Sequence, residues 1–362
     1  MRLILVGGFL GAGKTTLLGV AARHLSARGF KVGMITNDQA PDLVDTALLT
    51  RFGTNVKEVA GSCFCCNFGG FTHAVQSLAD SGADCILAEP VGSCTDLSAT
   101  IVHPIKRQFT DWQIAPLNVL VDPVRAREVT SSASSPLHPD ASYILEKQLE
   151  EADCILLNKV DTLSESDRKQ LVSALKARYP HADVIAVSAL RKMGVAEWLD
   201  AALDAKGVDT RIAAVDYDRY ANGESVLGWL NATVELTWIR DDEPDWETIA
   251  LRLMTALGKR FHETSSEIGH IKILMNASHG QLVANRTGLH DADSFRLDGN
   301  LDESAVFLIV NARVQSSPSE LEKVFRVSLE EVTKEHSSSA IRALHCIKPG
   351  RPVPTFRYSA TG

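Results

Sequence analysis

The sequence predicts an α/β fold: a mainly parallel sheet covered by helices over residues 1–207, a linker over 208–225, and a smaller α+β domain over 226–362. Three observations predict it. Short apolar runs alternate with amphipathic stretches through the first ~200 residues, the pattern of strands buried by helices on both faces. Around Gly207–Ser225 that pattern lapses into polar residues with Gly and Asp. Beyond it the periodicity changes kind, to strict alternation along Leu230–Trp238. With 362 residues, 45% hydrophobic and 23% charged, the chain has the length and composition for two packed cores.

In chain order, the strand-like runs of the first part are Leu3–Val6, Val32–Thr36, Val56–Val59, Cys85–Ala88, Asn118–Val121, Cys154–Leu157 and Val184–Val187. Helices are expected from about Lys14, Phe71, Ser164 and Val195, and Ser131–Ser135 before Pro136 reads as a surface loop. In the second part Leu230, Ala232, Val234, Leu236 and Trp238 alternate with Asn231, Thr233, Glu235 and Thr237, a strand with one wet face. A helix follows, with Ala250, Leu253, Met254, Leu257 and Phe261 at helical spacing. Further strands are expected at Ile268–Met275, Gln281–Asn285 and Ala305–Val310. A last helix after Pro318 carries Leu321, Val324, Phe325 and Val332 on one face. The order is of a ferredoxin-like kind. The final ~20 residues, with Pro and Gly, read as extended.

Charge and composition exclude some partners. A net charge of -8 argues against nucleic acid, whose binders carry a basic patch or stripe. No apolar run of about 18 residues exists to span a membrane. The opening MRLILVGGFLGAGK reads as a buried strand entering a loop, not as a signal peptide. Seven cysteines is an odd number, and neighbours such as Cys65 and Cys66 are poor disulfide partners, so reduced thiols and a cytoplasmic setting are expected.

Gly8-Phe9-Leu10-Gly11-Ala12-Gly13-Lys14-Thr15 matches G-x-x-x-x-G-K-[ST], with an apolar strand before it and a helix after it. Gly8, Gly11 and Gly13 let backbone N–H groups, with those of Ala12 and Thr16, curl round phosphate oxygens at a helix N-terminus. Lys14 can reach the β- and γ-phosphates, and the Thr15 hydroxyl can join a Mg²⁺ shell. A chance Gly-rich turn would not have strand, motif and helix in register. The first domain is therefore expected to be a P-loop NTPase.

The base is read from Asn158-Lys159-Val160-Asp161, directly after an apolar strand. A carboxylate at a strand end can accept two hydrogen bonds from guanine, N1–H and the 2-amino group, whereas adenine would leave it unpaired. Asn158 would support the loop or the base, the Lys159 stem could lie on the purine face, and Ser188-Ala189 falls where a second guanine-contacting loop belongs. The bland reading is a turn with a helix cap at Asp161. For magnesium and water, Glu89 follows the strand Cys85–Ala88, Gly92 stands where an N–H could sense the γ-phosphate, and Asp38 is the candidate second carboxylate. Asn37 and Asp38 capping a turn is the alternative.

Cys63, Cys65 and Cys66 crowd three thiols into four positions ahead of Gly69-Gly70, which are expected to turn the loop sharply into a helix. A P-loop, Cys-x-Cys-Cys, Glu89-x-x-Gly92 in place of the usual Asp, and then Asn-Lys-x-Asp, in that order, resembles the CobW-type GTPases, relatives of the nickel-insertion GTPases of urease and hydrogenase maturation. The resemblance covers residues 1 to about 190. It implies a GTPase whose cysteines carry a metal, with a C-terminal domain of its own. Asn37-Asp38-Gln39 stands in place of the family's Asn-Glu, Asn67-Phe68-Gly69 follows the thiols where a longer polar or basic side chain is expected, and the C-terminal half lacks the His-rich tract many members show.

Thiolates are soft ligands, and three of them could fill three of four tetrahedral positions on Zn²⁺. A loop open at its fourth position suits delivery. The expectation is a Mg²⁺-dependent, GTP-hydrolysing metal chaperone that passes Zn²⁺, or second Co²⁺, to a client metalloprotein. Cobalt enters because part of the resembled family is associated with cobalamin synthesis. The alternatives are a GTP-dependent regulatory switch with redox-sensing cysteines, and inert packing. A kinase-like P-loop enzyme lacks an acceptor-site signature. Cys85 and Cys154 read as packing, Cys94 as either packing or ligand, and Cys346 beside His345 as incidental; His270 and His279 read as ordinary residues.

Overall fold

The structure, a computed structural model, describes residues 1–38, 44, 49, 55–131, 137–205, 211–288 and 293–359, and of Asp38 and Ala60 only the backbone. Gln39 and residues 132–136, which carry part of the expected metal segment and of the Ser-rich loop, lie outside the described residues. The chain forms two compact units. The first comprises Met1–Gln39, Asp45–Gly223 and Arg351–Gly362; the second comprises Ala40–Val44 and Glu224–Gly350.

The first unit runs β1 (Arg2–Gly8), α1 (Lys14–Ala27), β2 (Val32–Asp38), β3 (Asn55–Ala60), α2 (Phe68–Asp80) and β4 (Cys85–Ala88). A π-helical turn, Ser98–Val102, leads into α3 (His103–Gln108), followed by β5 (Gln113–Ile114), β6 (Asn118–Val121), α4 (Pro123–Thr130) and α5 (Pro139–Glu150). Then come β7 (Cys154–Leu157), α6 (Glu165–Arg178), β8 (Asp183–Ala186), α7 (Val195–Asp204) and α8 (Tyr217–Val226), whose last residues fall past the division at Gly223. Among the described residues the strands pair in parallel in the order β3-β2-β4-β1-β6-β7-β8, with β5 also on β1. Helices on both faces explain why Leu3, Ile4, Leu5 and Val6 are all fully buried. β1 lies between β4 and β6, where the strand order reverses, so its carboxyl end opens on the crevice such sheets use for ligands.

The second unit runs β9 (Gly228–Trp238), α9 (Trp246–Glu263), β10 (Ile268–Asn276), β11 (Gly280–Arg286), β12 (Ser294–Gly299), β13 (Ala305–Val314), α10 (Pro318–Thr333) and β14 (Ser337–Ile347). Its sheet is antiparallel, in the order β12-β11-β10-β13-β9-β14. Taking β9, β10, β13 and β14 as the four main strands gives the split β-α-β-β-α-β order, with the β11–β12 hairpin added at the β10 edge. Leu253 and Phe261 of α9 and Phe325 and Leu329 of α10 share one core with Leu230, Ala232, Val234 and Leu236.

Several elements differ from expectation for identifiable reasons. The stretch read as a linker contains α8, whose Tyr220 is buried despite the polar residues around it. Helix α2 begins at Phe68, three residues early, so Gly69 and Gly70 lie in its first turn and not in the turn before it. β8 sits one residue toward the N-terminus of the predicted run. β12 escapes an alternation test because all six of its residues are exposed at the sheet edge. Among the described residues no helix is long and apolar enough to cross a membrane.

Candidate nucleotide and metal site

The P-loop leaves β1 at Gly8 and enters α1 through Gly13, both with positive φ, at 132° and 98°. A Cβ on Gly8 would lie 2.4 Å from the carbonyl oxygen of Leu120 on β6, so a side chain is excluded by space as well as by φ. Gly8→Ala is expected to cost about 3 kcal/mol, read by calorimetry as a fall in the first unit's Tm of roughly 6–12 °C. No side chain caps α1, so its first N–H groups point at the loop's hollow, the geometry that favours an anion. The Lys14 ammonium is folded back over that hollow, donating to the carbonyls of Gly8 at 2.8 Å and Phe9 at 3.3 Å.

Thr15 Oγ1 donates to Glu89 Oε1 at 3.2 Å, bringing together two hard oxygen ligands at the foot of the P-loop, a donor pair that fits Mg²⁺. Gly92 backs directly onto this loop: a Cβ there would lie 3.1 Å from Lys14 Nζ and 2.7 Å from Leu10 Cδ2. Asp38 ends β2 opposite Ala60, and its side chain lies outside what is described. Thr16 follows in the first turn of α1 and is exposed.

Asn158 supports the loop: its amide donates to Ala12 O at 2.8 Å and accepts from the Ala189 N–H at 3.0 Å. One buried amide thus ties the P-loop to the segment after β8. Lys159 takes a left-handed φ of 58° at the turn, and Asp161 is exposed, accepting from Ser188 Oγ at 2.5 Å. Ser188 and Met193 exchange backbone hydrogen bonds that close this second loop.

The thiols are brought together. Sγ of Cys63 lies 3.0 Å from that of Cys65 and 3.1 Å from that of Cys66, while Cys65 and Cys66 are 3.8 Å apart. Sulfurs tetrahedral about zinc at 2.3 Å would stand about 3.8 Å apart, so the triangle needs to open on two sides only. Every cysteine is free. Burial and mutual hydrogen bonding split their acidities. The Cys65 and Cys66 thiols hydrogen-bond Cys63 and hold its sulfur far below the usual thiol range. Cys65 is pushed well up by the same contact, and Cys66 to about 11.

Two asparagines shape this loop. Asn37, at the end of β2, donates to Val59 O at 2.7 Å and Ser62 O at 2.8 Å and accepts from the Phe64 N–H at 2.9 Å. The sequence singled Asn37 out only as a turn cap, whereas it clamps the approach to the thiols from a neighbouring strand. Asn67 occupies the position where a longer side chain was expected, and it caps α2 by accepting from Gly70 N–H at 3.0 Å. Gly70 is needed there because a Cβ would sit 2.6 Å from the Asn67 side chain. A capping residue before an apolar helical run was the signal that could have located Asn67.

Residues 351–359, also part of the first unit, lie along the thiol loop. The Val353 N–H donates to Cys66 Sγ at 3.3 Å, the Thr355 N–H to Cys65 O at 2.8 Å, and Thr355 Oγ1 to Cys66 O at 3.3 Å. Phe356 meets Phe68 edge to face at 5.1 Å. Arg357 pairs with buried Asp96 at 2.7 Å, and the Tyr358 N–H donates to Ala99 O at 3.1 Å. Burial pushes the Asp96 carboxyl up while Arg357 and the Tyr217 hydroxyl oppose it. The segment after Glu89 is therefore fastened to the same strap as the cysteines. From the other side Gln148 donates to the carbonyls of Gly92 and Cys94, at 3.0 and 2.8 Å. Nothing in the sequence pattern announced Asp96, Gln148 or the strap, because each acts through contacts distant in the chain.

Residues 2–186 match the model of the CobW/HypB/UreG nucleotide-binding domain. The zinc chaperone YjiA of Escherichia coli (strain K12) is 29% identical over 182 residues, 49% of this chain and 55% of YjiA, so the match spans about half the relative's length. Among solved structures, the hydrogenase maturation factor HypB from Archaeoglobus fulgidus is 19% identical, with a TM-score of 0.41 over 55% of this chain and 87% of its own. The zinc-bound YjiA GTPase from E. coli is 18% identical, with a TM-score of 0.36 over 90% and 98%.

Proposed function

The chain belongs to the CobW/HypB/UreG family, and on that premise we propose that it is a GTP-hydrolysing metal chaperone loading a divalent ion, zinc before cobalt, on Cys63, Cys65 and Cys66. The observation that carries this reading is the group of three sulfurs within 3.8 Å of one another, in a chain whose phosphate loop is backed by the segment after Glu89. Thiolate softness favours zinc and cobalt over magnesium at the cysteines; the oxygens of Thr15 and Glu89 favour the reverse.

In this reading Lys14 leaves the carbonyls of Gly8 and Phe9 to meet the β- and γ-phosphates, and the N-terminal amides of α1 hold their oxygens. Thr15 and Glu89, with Asp38 as the further carboxylate, would hold Mg²⁺, which neutralises charge developing on the phosphoryl oxygens. Asp161 selects guanine, with Asn158, Lys159, Ser188 and Ala189 forming the base loop. Glu89 or Asp38 orients the attacking water. Gly92, against Lys14, registers the γ-phosphate, and hydrolysis relaxes the segment that shares its strap with the cysteines. The second unit recognises a client metalloprotein, and reduced thiols suit a cytoplasmic setting.

The test is linkage. Saturating a non-hydrolysable GTP analogue is expected to change zinc affinity about 5- to 150-fold, and saturating zinc to change analogue affinity by the same factor. Calorimetric titration in both orders measures it. Identical analogue affinity with and without zinc would overturn the coupling.

A further inference from the structure

Residues 351–359 fall in no helix or strand, yet their burial alternates as it would along one. Pro352 is buried and Pro354, Phe356 and Tyr358 are half-buried, while Val353, Thr355 and Arg357 are exposed. Pro352 and Pro354 carry no N–H, so Val353 and Thr355 supply the backbone donors that reach the thiol loop. Such a segment cannot build a continuous ladder with the loop and is joined to it by a few separable bonds.

The strap is fastened unequally along its length. Arg351 meets Asp218 of α8 at the surface, with both side chains more than half exposed, a pair that contributes little. Arg357 instead reaches Asp96, which is fully buried. Its Nε donates to Asp96 Oδ2 at 2.7 Å, its Nη2 donates to Val215 O at 3.3 Å, and its guanidinium lies 4.6 Å from the centre of the Tyr217 ring. The Tyr217 hydroxyl donates to the same carboxylate oxygen at 2.9 Å. Asp96, Val215 and Tyr217 together make a socket that suits a guanidinium.

From this arrangement we infer that residues 353–358 are a gate on the thiol cluster, and that Arg357 in the Asp96 socket is its latch. The inference rests on the metal-chaperone reading for what passes the gate, and goes beyond it in naming what controls passage.

Three features support it. The strap engages the cluster itself: the Val353 N–H lies on Cys66 Sγ, and both Thr355 bonds go to the carbonyls of Cys65 and Cys66. Cys65 is 2% exposed, so an ion or an accepting ligand reaches its sulfur once the strap lifts. The latch also resists opening from the strap's side, because withdrawing Arg357 strands a buried carboxylate. Finally, the socket is tied to the phosphate loop. Near the end of α5, Gln148 holds the carbonyls of Gly92 and Cys94, and Glu151 accepts from Thr95 Oγ1 at 3.1 Å and the Ser98 N–H at 2.9 Å. Residues 92–98 therefore shift as one piece, with Gly92 against Lys14 at one end and Asp96 near the other. A displacement driven by the γ-phosphate moves the socket, and the strap is released as a local unit without unfolding the sheet behind it.

The experiment uses the full chain, reduced and in Mg²⁺, with a non-hydrolysable GTP analogue or GDP, as wild type, Phe356→Ala and Arg357→Ala. One readout is the rate at which iodoacetamide alkylates Cys65 in protein freed of metal, located by peptide mass. The other is the rate of zinc loss from loaded protein to excess chelator. Arg357→Ala is expected to bind zinc and to raise both rates about 10- to 100-fold, the effect of losing a hydrogen bond to a charged group. Phe356→Ala keeps the Asp96 pair and removes the edge-to-face contact with Phe68; it is expected to raise them about 2- to 10-fold. In wild type the analogue is expected to slow both rates relative to GDP, and in Arg357→Ala that difference disappears. Wild-type rates in both variants would overturn the gate and leave zinc binding, and with it the chaperone reading, in place. A nucleotide effect absent from wild type, or intact in Arg357→Ala, would refute the latch. A chain that binds no zinc but whose Cys65 quickens in both variants would refute the cargo reading and keep the gate. Phe356→Ala decides the matter even where Arg357→Ala folds poorly.

Discussion

Apparent zinc affinity of the nucleotide-free protein is expected to rise about a hundredfold for each unit of pH between roughly 6 and 8. The sign follows from the cluster's own protons. Hydrogen bonds from Cys65 and Cys66 keep the Cys63 sulfur ionised across this range. The other two thiols are pushed upward, Cys66 to about 11, and so carry their protons at neutral pH. A metal that takes all three sulfurs displaces two protons, and the affinity gains two logarithmic units per pH unit below those higher pKa values. Competition against a chelator of known proton dependence measures the slope. Cys65→Ser removes the most buried sulfur of the three and is expected to abolish stoichiometric binding at every pH. A slope near zero, or zinc retained by that variant, would place the metal elsewhere.

The second large effect concerns the base. Asp161→Asn is expected to lower GTP affinity about a few hundredfold and to raise affinity for xanthosine triphosphate. Two hydrogen bonds from guanine to a carboxylate, at about 1.5–3 kcal/mol each, total about 3–6 kcal/mol, and the low end of that range corresponds to the loss. The reversal follows from geometry: Ser188 Oγ donates to Asp161 Oδ1 at 2.5 Å, and in the variant it can hold the amide oxygen in the same place. The amide nitrogen then faces the substituent at C2, repelling an amine and donating to the xanthine oxygen. Displacement of a fluorescent guanine nucleotide by GTP, xanthosine triphosphate and ATP reads the switch, and zinc binding to the free protein should not change. An unaltered preference for GTP would mean that Asp161 does not touch the base.

The sequence reveals those parts of the molecule whose physics is local. Leu3–Val6, Gly8 to Thr15 and the cysteine run announce themselves because strand periodicity, a tight phosphate loop and clustered soft ligands are each written in consecutive residues. The alternation along Leu230–Trp238 likewise became β9. What stayed hidden depends on partners far along the chain. Asn37 looks like a turn residue until Val59, Ser62 and Phe64 are folded round it. Asp96 looks like one more loop carboxylate until Arg357 covers it. Edge strand β12 lacks a buried face to give it a period, and α8 hides its one buried tyrosine, Tyr220, among polar neighbours.

The hydrogen bond from Val353 to Cys66 joins residues 287 positions apart. During synthesis at about 5–20 residues per second, Cys63–Cys66 emerge roughly 15 to 60 s before the wall that will cover them. For that interval the nascent thiols stand unroofed, open to oxidants and to whatever ion is most abundant. Young chains therefore have to stay reduced until β14 has been made and the strap behind it can close.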